Sequence, residues 1–428
     1  MSRILLTSAL PYANGSIHLG HLVEYIQSDI FARYHRSVGT DILYVCADDT
    51  HGTAIELRAE KLGVTPEALI GEVWREHTAD FAAFHVAFDT YYSTHSPENE
   101  ALSGFVYKQL RDRGHIVRKT TQQLYSPSLG RFLSDRMVKG TCPRCGTADQ
   151  YGDVCESCGA TYDPTELIAP YDIHTNEPPV LRETENLYVR LSDFSGFLSE
   201  WMQTGVPQES VRNFVAGWLT SGLQDWCISR PAPYFGFQIP DEPGKYFYVW
   251  LDAPVGYIAA TQHICESLGR DWRDYWGADS DAEIHHNIGK DIVYFHTLYW
   301  PAMLKAAGLK APTAVHVHGM LTVNGRKMSK TRGTFINART YLAHLDPDCL
   351  RYYYAAKLGG SAEDLDLNTE DFVNRVNAEL VNNIVNLCSR ALKFAVARFG
   401  GHPGDFEPAK YPLCARVTEG VAAAKAAY

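Results

Sequence analysis

The chain has 428 residues, 45% of them hydrophobic and 12% aromatic, which is enough apolar material for a core shared by about two to four domains. Its formal net charge of −11 argues against a general polyanion-binding protein. The first apolar run breaks at Pro11, and no run of about 18 apolar residues occurs that could span a bilayer. We therefore expect a cytoplasmic protein with neither a signal peptide nor a membrane partner.

The first three elements are predicted to be a strand, a helix and a strand. "RILLTSA" (Arg3 to Ala9) and "ILYVCA" (Ile42 to Ala47) are short apolar runs typical of buried strands. Apolar residues recur at helical spacing between them, at Ile17, Leu19, Leu22, Ile26, Ile30 and Phe31. This order predicts a nucleotide-binding α/β fold, in which ligands gather at the carboxyl ends of the strands.

Two histidines, His18 and His21, stand at the start of that helix, where backbone N–H groups favour an anion. Gly20 lies between them and has no side chain, so a ligand ring could approach the backbone there. Taken alone, either histidine is more typical of a partly buried helix residue. The pair therefore indicates a site only in combination with a second motif.

Residues 105–144 are locally basic, with nine Lys or Arg against two Asp, a charge of +7. Phe105, Tyr107, Tyr125 and Phe132 lie among these cations. Interleaved aromatic and basic residues suit a nucleic-acid surface, and a solvated charged face is the alternative.

Four of the ten cysteines cluster in "CPRCGTADQYGDVCESC", as Cys142, Cys145, Cys155 and Cys158. Two C-x2-C turns predict that the four thiolates bind one zinc ion. A disulfide framework is the alternative, but it is typical of small secreted domains. Because four thiolates leave no open coordination position, we expect a structural zinc and not a catalytic one.

A basic loop bounded by glycines occurs late in the chain, in "MLTVNGRKMSKTRGT" (Met320 to Thr334). It contains Asn-Gly, a hairpin signal, followed by Lys327, Lys330 and Arg332. Lysines on a loop are point charges suited to phosphate oxygens, and a solvated basic loop is the alternative.

Together, HLGH and KMSKT resemble the paired "HIGH" and "KMSKS" signatures of class I aminoacyl-tRNA synthetases, with Thr331 in place of the final Ser. Stretches along nearly the whole chain resemble the methionyl-tRNA synthetase family of the bacterial type, including "ALPYANGSIHLGHL", "CADDTHGT", "YFYVWLDAPVGYI", "IGKDIVYFHTLYWPAML", "VNGRKMSK" and "LRYYYAAKL". "LQDWCISRPAPYFG" is shared with the valine, leucine and isoleucine enzymes, which carry a much longer insertion. The resemblance implies a methionine–tRNA ligase. Such an enzyme forms methionyl-adenylate from methionine and ATP, and charges the terminal adenosine 2′-hydroxyl of tRNA(Met), including the initiator.

The resemblance also implies the roles of individual residues. It places the ATP site, with Mg²⁺ bound to the nucleotide, at His18, Gly20, His21, Lys327 and Lys330, the four basic residues being catalytic. It places the methionine site at Leu10, Tyr12, Asp49, Trp250, Ala253, Pro254, Tyr257, Phe295 and His296. Asp49 would hold the ammonium group, and the aromatic set suits a thioether. For each of these residues, ordinary core packing is the alternative.

The resemblance implies a doubly wound Rossmann-type α/β domain with a zinc-containing insertion and the start of a C-terminal α-helical anticodon-binding bundle. The predicted segments are the two Rossmann halves (1–111 and 226–310), the insertion between them (112–225) with its zinc knuckle (about 138–163), the signature-loop region (311–368) and the bundle (369–428).

Two helices are predicted after the signature loop, in "DPDCLRYYYAAKL" and "NTEDFVNRVNAELVNNIVNLCSRALKF". The second has apolar residues on one face, at Val373, Val376, Leu380, Ile384 and Leu387. The resemblance places anticodon contacts at Asn386 and Arg390, with solvated surface as the alternative. The sequence stops part-way through the family's bundle, so we expect a fragment, monomeric in solution.

Two other classes of protein are compatible with parts of the pattern. A nucleotidyltransferase acting on a small metabolite also uses an HxGH helix and a late basic loop, but it does not need the cysteine insertion. A non-catalytic zinc-ribbon protein that binds tRNA has no reason to keep both signatures. Methionine-dependent exchange between pyrophosphate and ATP distinguishes both from a synthetase.

We predict that Lys330→Ala slows adenylate formation and leaves methionine binding nearly unchanged. A loop lysine directed at the leaving phosphates acts in the transition state more than in the ground state. Pre-steady-state activation rates and the methionine dissociation constant separate the two effects. A weaker methionine affinity with an unchanged activation rate would reverse the assignment.

Overall fold

The computed structural model describes residues 3–152, 155, 157, 158, 160, 162–328, 335–402 and 407–427. The chain divides into two compact units, Met1–Leu367 and Asn368–Tyr428. The finer segment boundaries predicted inside the first unit remain predictions.

The strands of the first unit are β1 (Arg3–Ser8), β2 (Asp41–Asp48), β3 (Thr90–Ser93), β4 (Ile116–Ser126), β5 (Arg131–Phe132), β6 (Val138–Thr141), β7 (Gln150–Tyr151), β8 (Ile168–Asp172), β9 (Val180–Val189), β10 (Trp226–Cys227), β11 (Ser229–Pro231), β12 (Lys245–Phe247), β13 (Glu283–Gly289), β14 (Ala314–His318), β15 (Leu321–Val323), β16 (Arg326–Lys327) and β17 (Leu365–Leu367). The α-helices of the same unit are α1 (Leu19–Ser37), α2 (Thr53–Leu62), α3 (Pro66–Ala83), α4 (Pro97–Asp112), α5 (Ser195–Gly205), α6 (Glu209–Ser221), α7 (Val249–Leu268), α8 (Arg273–Trp276), α9 (Trp300–Ala307), α10 (Ala338–Leu342) and α11 (Pro347–Lys357). The second unit contains α12 (Thr369–Arg375), α13 (Asn386–Phe399) and α14 (Pro412–Ala427).

A parallel sheet in the order β14-β13-β1-β2-β3 forms the centre of the first unit. The two strands predicted near the N-terminus are confirmed as β1 and β2. The sheet grows from β1 to β3 on one side and from β13 to β14 on the other, so the winding reverses between β1 and β13. This is the predicted doubly wound α/β arrangement, and ligands bind such sheets at the reversal.

Helix α1 connects β1 to β2 and packs its apolar face into the protein. Leu19, Leu22 and Ile26 are fully buried, whereas Ile30 and Phe31 are half-buried. The predicted helical spacing is therefore confirmed, and its burial is strongest near the N-terminal end, beside the histidines.

Between the two halves of the sheet, the described residues form three small antiparallel sheets, in the orders β10-β9-β4-β5, β7-β6-β8 and β11-β12. Leu187 and Val189 of β9 and Leu198 of α5 belong to the same hydrophobic cluster as Leu5 of β1. The insertion is therefore packed onto the central sheet through a shared core.

At least five of the nine cations in the basic stretch 105–144 form ion pairs. Their acidic partners lie mostly outside the stretch, in the pairs Arg111–Asp241, Arg118–Glu242, Lys119–Asp225, Lys139–Asp149 and Arg144–Glu166. These pairs neutralise much of the local excess of positive charge, because the fold brings acidic residues from other parts of the chain to the basic stretch. Contact of this stretch with nucleic acid remains a prediction.

The Asn-Gly turn of the late loop is confirmed as a hairpin, because β15 pairs with β16 in the antiparallel sense. Asn324 and Gly325 both have positive φ, 48° and 69°, the conformation that a two-residue turn of this kind requires. β15 also pairs with β17 in the parallel sense, which attaches the hairpin to the first unit.

In the second unit, the long helix predicted from residue 369 is divided by a π-helical segment, Val376–Val385, between α12 and α13. A π-helix bonds i to i+5, so residues spaced for one face of an α-helix are rotated apart. Val373, Ile384 and Leu387, which were predicted to share one apolar face, are 52%, 49% and 69% exposed.

Among the described residues, no helix has both the length and the hydrophobicity needed to cross a membrane.

Candidate active site

A cavity of about 480 Å³ opens where the carboxyl ends of β1 and β13 meet, at the reversal of the sheet. It is lined by most of the residues that the sequence singled out: Leu10, Tyr12, His18, Gly20, His21, Asp49, Trp250, Ala253, Pro254, Tyr257, Phe295, His296 and Lys327. Lys330 lies outside the described residues. The fold thus brings five separate segments to one place.

His18 and His21 form a reciprocal cap at the N-terminus of α1. His18 Nδ1 accepts from the backbone N–H groups of Gly20 and His21, at 3.1 and 3.3 Å, and His21 Nδ1 accepts from the His18 N–H at 3.4 Å. The rings stack with centroids 3.6 Å apart. Because each Nδ1 is an acceptor, the ring proton of each neutral histidine is on Nε2.

The charge state of His21 follows from its surroundings. Burial lowers the pKa of His21 well below its usual value, and the neighbouring His18 ring lowers it further. His21 is therefore a neutral hydrogen-bond donor at physiological pH, at the positive end of a helix dipole. This arrangement suits an anionic ligand such as a phosphate group.

Gly20 is packed too closely for a side chain. An added Cβ would lie 2.7 Å from the Met328 methyl group and 2.9 Å from the His18 ring. The Met328 methyl group and the His18 ring fill the space beside Gly20, so the glycine allows the capping histidine to lie against the backbone. That Gly20 makes room for a ligand ring remains a prediction.

The chain at the end of β2 carries Asp49, and its neighbours Asp48 and Thr50 are each hydrogen-bonded to another element. Asp48 contacts His77 at 2.6 Å, and Thr50 contacts the Thr94 hydroxyl at 2.8 Å. Asp49 itself is only 7% exposed, and its Oδ1 has no hydrogen-bond partner among the described residues. A buried carboxylate oxygen that lines a cavity and lacks a partner is a strong candidate for binding a cationic group.

Burial raises the pKa of Asp49 well above its usual range, and the nearby Asp252 carboxylate raises it further. The charged form of Asp49 is therefore disfavoured until a positive group enters the cavity.

The opposite wall of the cavity is uncharged and aromatic. Trp250 and Phe295 stack with centroids 4.1 Å apart, and Tyr257 Oη lies 2.8 Å from His296 Nε2. His296 Nδ1 donates to the Ile292 carbonyl at 3.1 Å, so Nε2 accepts the Tyr257 hydroxyl proton. Burial lowers the pKa of His296 to about 4, which keeps the ring neutral. This wall suits an uncharged side chain.

Three residues that the sequence analysis did not assign also face this region. Glu24 and His318 line the cavity and contact each other, Oε2 to Nε2, at 3.2 Å. Arg230 lines a smaller cavity of about 180 Å³ that shares Tyr12 and Asp49 with the larger one. Glu24 follows His21 by one helical turn, which is a signal that could have indicated it; His318 and Arg230 are positioned only by the tertiary fold.

The four predicted zinc ligands come together in the insertion, with all four sulfurs within 4.8 Å of one another. The Cys142–Cys158 and Cys145–Cys155 sulfur distances are 3.9 and 3.6 Å. A tetrahedral ion with Zn–S bonds of about 2.3 Å would separate its sulfurs by about 3.8 Å, so these thiols fit zinc. Backbone N–H groups of Arg144 and Cys158 point to cysteine sulfurs at 3.4 Å, which stabilises thiolates.

In the second unit, Asn386 and Arg390 lie one helical turn apart on α13. The Asn386 amide donates to Asn382 Oδ1 at 3.4 Å, and Arg390 is exposed. Contact of these two residues with an anticodon remains a prediction.

The family model described as tRNA synthetases class I (M) matches residues 4–392. A solved structure of Mycobacterium tuberculosis methionyl-tRNA synthetase in complex with methionyl-adenylate is similar, with a TM-score of 0.74 and 27% identity over 95% of this chain and 75% of that chain. A second structure of the Mycobacterium tuberculosis enzyme, bound by methionyl-adenylate, has a TM-score of 0.73 and 26% identity with the same coverage.

We predict that Asp49→Asn raises the melting temperature of the ligand-free protein at pH 7. The raised pKa means that folding must either bury a charge or take up a proton there, and both cost free energy above the unfolded pKa of about 3.9. Below that pH the residue is neutral in both states, so the stabilisation should shrink as the pH falls to about 4. Thermal unfolding of both proteins from pH 4 to 8 measures this, and a less stable variant at pH 7 would contradict it.

We predict that Cys142→Ser or Cys158→Ser lowers the zinc content and loosens the insertion, because each removes one of four ligands from a closed site. Cys388→Ser, which changes an exposed cysteine outside the cluster, is the matched control. Elemental analysis of purified protein gives the zinc per chain. A full equivalent in the Cys142/Cys158 double variant would rule out the site.

Proposed function

We propose that this chain, which belongs to the class I tRNA synthetases of the methionine type, activates methionine with ATP and transfers the methionyl group to tRNA. The observation that carries the proposal is the cavity itself, in which the Asp49 carboxylate, whose Oδ1 has no hydrogen-bond partner among the described residues, lies between an uncharged aromatic wall and a histidine-capped helix N-terminus. The similar Mycobacterium tuberculosis enzymes hold methionyl-adenylate, which supports a common first step.

In the first step, a methionine carboxylate oxygen attacks the α-phosphorus of ATP, and the bond to pyrophosphate breaks. No protein nucleophile is needed, so catalysis consists of positioning and electrostatic stabilisation. His18 and His21 would donate from Nε2 to phosphate oxygens, and Lys327 and Lys330 would neutralise the leaving pyrophosphate. Mg²⁺ bound to ATP would supply further neutralisation.

Methionine recognition divides between two walls of the cavity. Asp49 would accept from the ammonium group, and the stacked Trp250 and Phe295 would cover the thioether. Tyr257 and His296 satisfy each other and stay neutral, so a charged side chain would be left without a partner there. A charged substrate side chain would lose its hydration there without gaining a partner, so the site favours an uncharged one.

In the second step, the 2′-hydroxyl of the terminal adenosine of tRNA attacks the adenylate carbonyl, and AMP leaves. We propose that Asn386 and Arg390 of the second unit contact the anticodon, and that the four-cysteine cluster holds one structural zinc. The zinc cluster takes no part in either chemical step, since its four thiolates leave no position for a substrate.

The proposal is tested by exchange of labelled pyrophosphate into ATP in the presence of each amino acid, followed by charging of tRNA. We expect exchange to require methionine. His21→Ala should slow it by about 10²- to 10³-fold, the cost of losing one donor to a developing charge. His35→Ala, at the other end of the same helix, is the control and should change it little. Exchange that is absent with methionine, or faster with another amino acid, would contradict the proposal.

A further inference from the structure

The loop carrying Asp49 is joined directly to the helix that carries the side-chain pocket. His51 follows Asp49 by two residues, and its Nδ1 hydrogen-bonds to the carboxylate of Asp252 on α7. The His51 side chain is fully buried and that of Asp252 is 1% exposed. Within the described residues, this buried pair is the side-chain hydrogen bond that links the Asp49 loop to α7.

Asp252 occupies the first turn of α7, among the residues that form the aromatic wall. Trp250, Ala253 and Pro254 from the same turn line the cavity, whereas Asp252 faces the loop. Its backbone carbonyl accepts from the Asn99 amide at 3.2 Å, which holds the turn from a second direction. Asn99 thus holds the turn that presents the wall, and the Asp252 side chain links that turn to the Asp49 loop.

We infer that His51 and Asp252 are positioning residues, whose hydrogen bond fixes the ammonium-binding carboxylate of Asp49 at a set distance from the pocket wall on α7. The inference rests on the proposed function, since it concerns how an α-amino acid is held. Neither residue lines the cavity, so both act through the groups that do.

The pair also controls the electrostatics at Asp49. Asp252 is close enough to Asp49 for its charge to act on that carboxylate. With His51 as partner, the Asp252 carboxylate is compensated locally by a hydrogen bond. Without His51, Asp252 would be an unpaired buried carboxylate beside the one that must bind the ammonium group, and the two would compete for it.

His95 contacts the second ring nitrogen of His51. Its Nδ1 lies 3.0 Å from His51 Nε2, and its ring stacks on Phe235 and Phe237 with centroids 5.3 and 5.9 Å away. His51 is thus held at both ring nitrogens, so its orientation toward Asp252 is determined by neighbours rather than by its own rotamer.

The test compares binding of methionine with binding of its des-amino analogue, 4-(methylthio)butanoate, which lacks the ammonium group. In the full chain, His51→Ala should raise the methionine KM for pyrophosphate exchange by about 10- to 100-fold, the loss expected for a misplaced charged hydrogen bond. The KM for ATP and the inhibition constant of the analogue should change less than about twofold, because neither uses Asp49. His51→Gln can still donate to Asp252 and should recover part of the methionine affinity.

His115→Ala is the matched control, because it removes another histidine–aspartate contact, the 2.8 Å pair with Asp193, from the insertion. If His51→Ala does not fold, Asp252→Asn and His51→Gln supply the same comparison. An equal loss of affinity for methionine and the analogue would show a general collapse of the pocket and overturn the inference, as would an unchanged methionine KM. Failure of the wild-type chain to show methionine-dependent exchange would instead overturn the proposed function.

Discussion

The parallel pairing of β1 with β13 is the constraint on which the rest of the site depends. The two strands are far apart in the sequence, and their register, from Ile4 opposite Glu283 to Ser8 opposite Asn287, brings both carboxyl ends to one edge. The segment after β1 leads to the histidine-capped helix, and the segment after β13 leads to Phe295 and His296. A shift of register by two residues would keep the same faces buried but would move these two groups apart by about 7 Å.

The site places ionisable groups where they are unfavourable for stability. Asp49 and Asp252 are buried carboxylates whose pKa values are raised by burial, and Glu24 is a third. Oδ1 of Asp252, like Oδ1 of Asp49, has no hydrogen-bond partner among the described residues. Asp252 and Glu24, however, each hydrogen-bond to a histidine through another carboxylate oxygen, whereas Asp49 has no such side-chain partner among the described residues. We interpret the difference as functional: two of these charges support the structure of the cavity, and the third is kept for a ligand.

The sequence predicted the parts of this account that depend on local pattern. The first two strands, helix α1, the Asn-Gly hairpin and the four-cysteine cluster follow from short-range spacing and turn chemistry, and all are confirmed. The long C-terminal helix was predicted without its π-helical segment, because the spacing of apolar residues in the sequence does not show where the helical hydrogen bonding changes. The ion pairs that neutralise the basic stretch were also missed, since their acidic members come from distant segments.

Within the site, the resemblance to a family named the residues that line the cavity, and the residues around them needed the structure. His51 and Asp252 occur in the quoted motifs and Glu24 lies just after one of them, yet nothing in their spacing shows that they pair with groups far away in the sequence. Their partners are determined by tertiary contacts between elements that only the folded sheet brings together. The sequence therefore identified the residues that line the cavity, and the structure was needed to identify the residues that hold them in place.

The central claim, that burial holds Asp49 in its neutral form until the substrate ammonium group binds beside it, is tested most directly by the protons exchanged when methionine binds. Calorimetric titration in buffers with different ionisation enthalpies gives this number. Because the raised pKa of Asp49 must fall when a cation binds beside it, the account predicts net proton release at neutral pH by the wild-type chain. Net proton uptake by the wild-type chain, or binding of methionine with the same proton release by the Asp49→Asn variant, would contradict it.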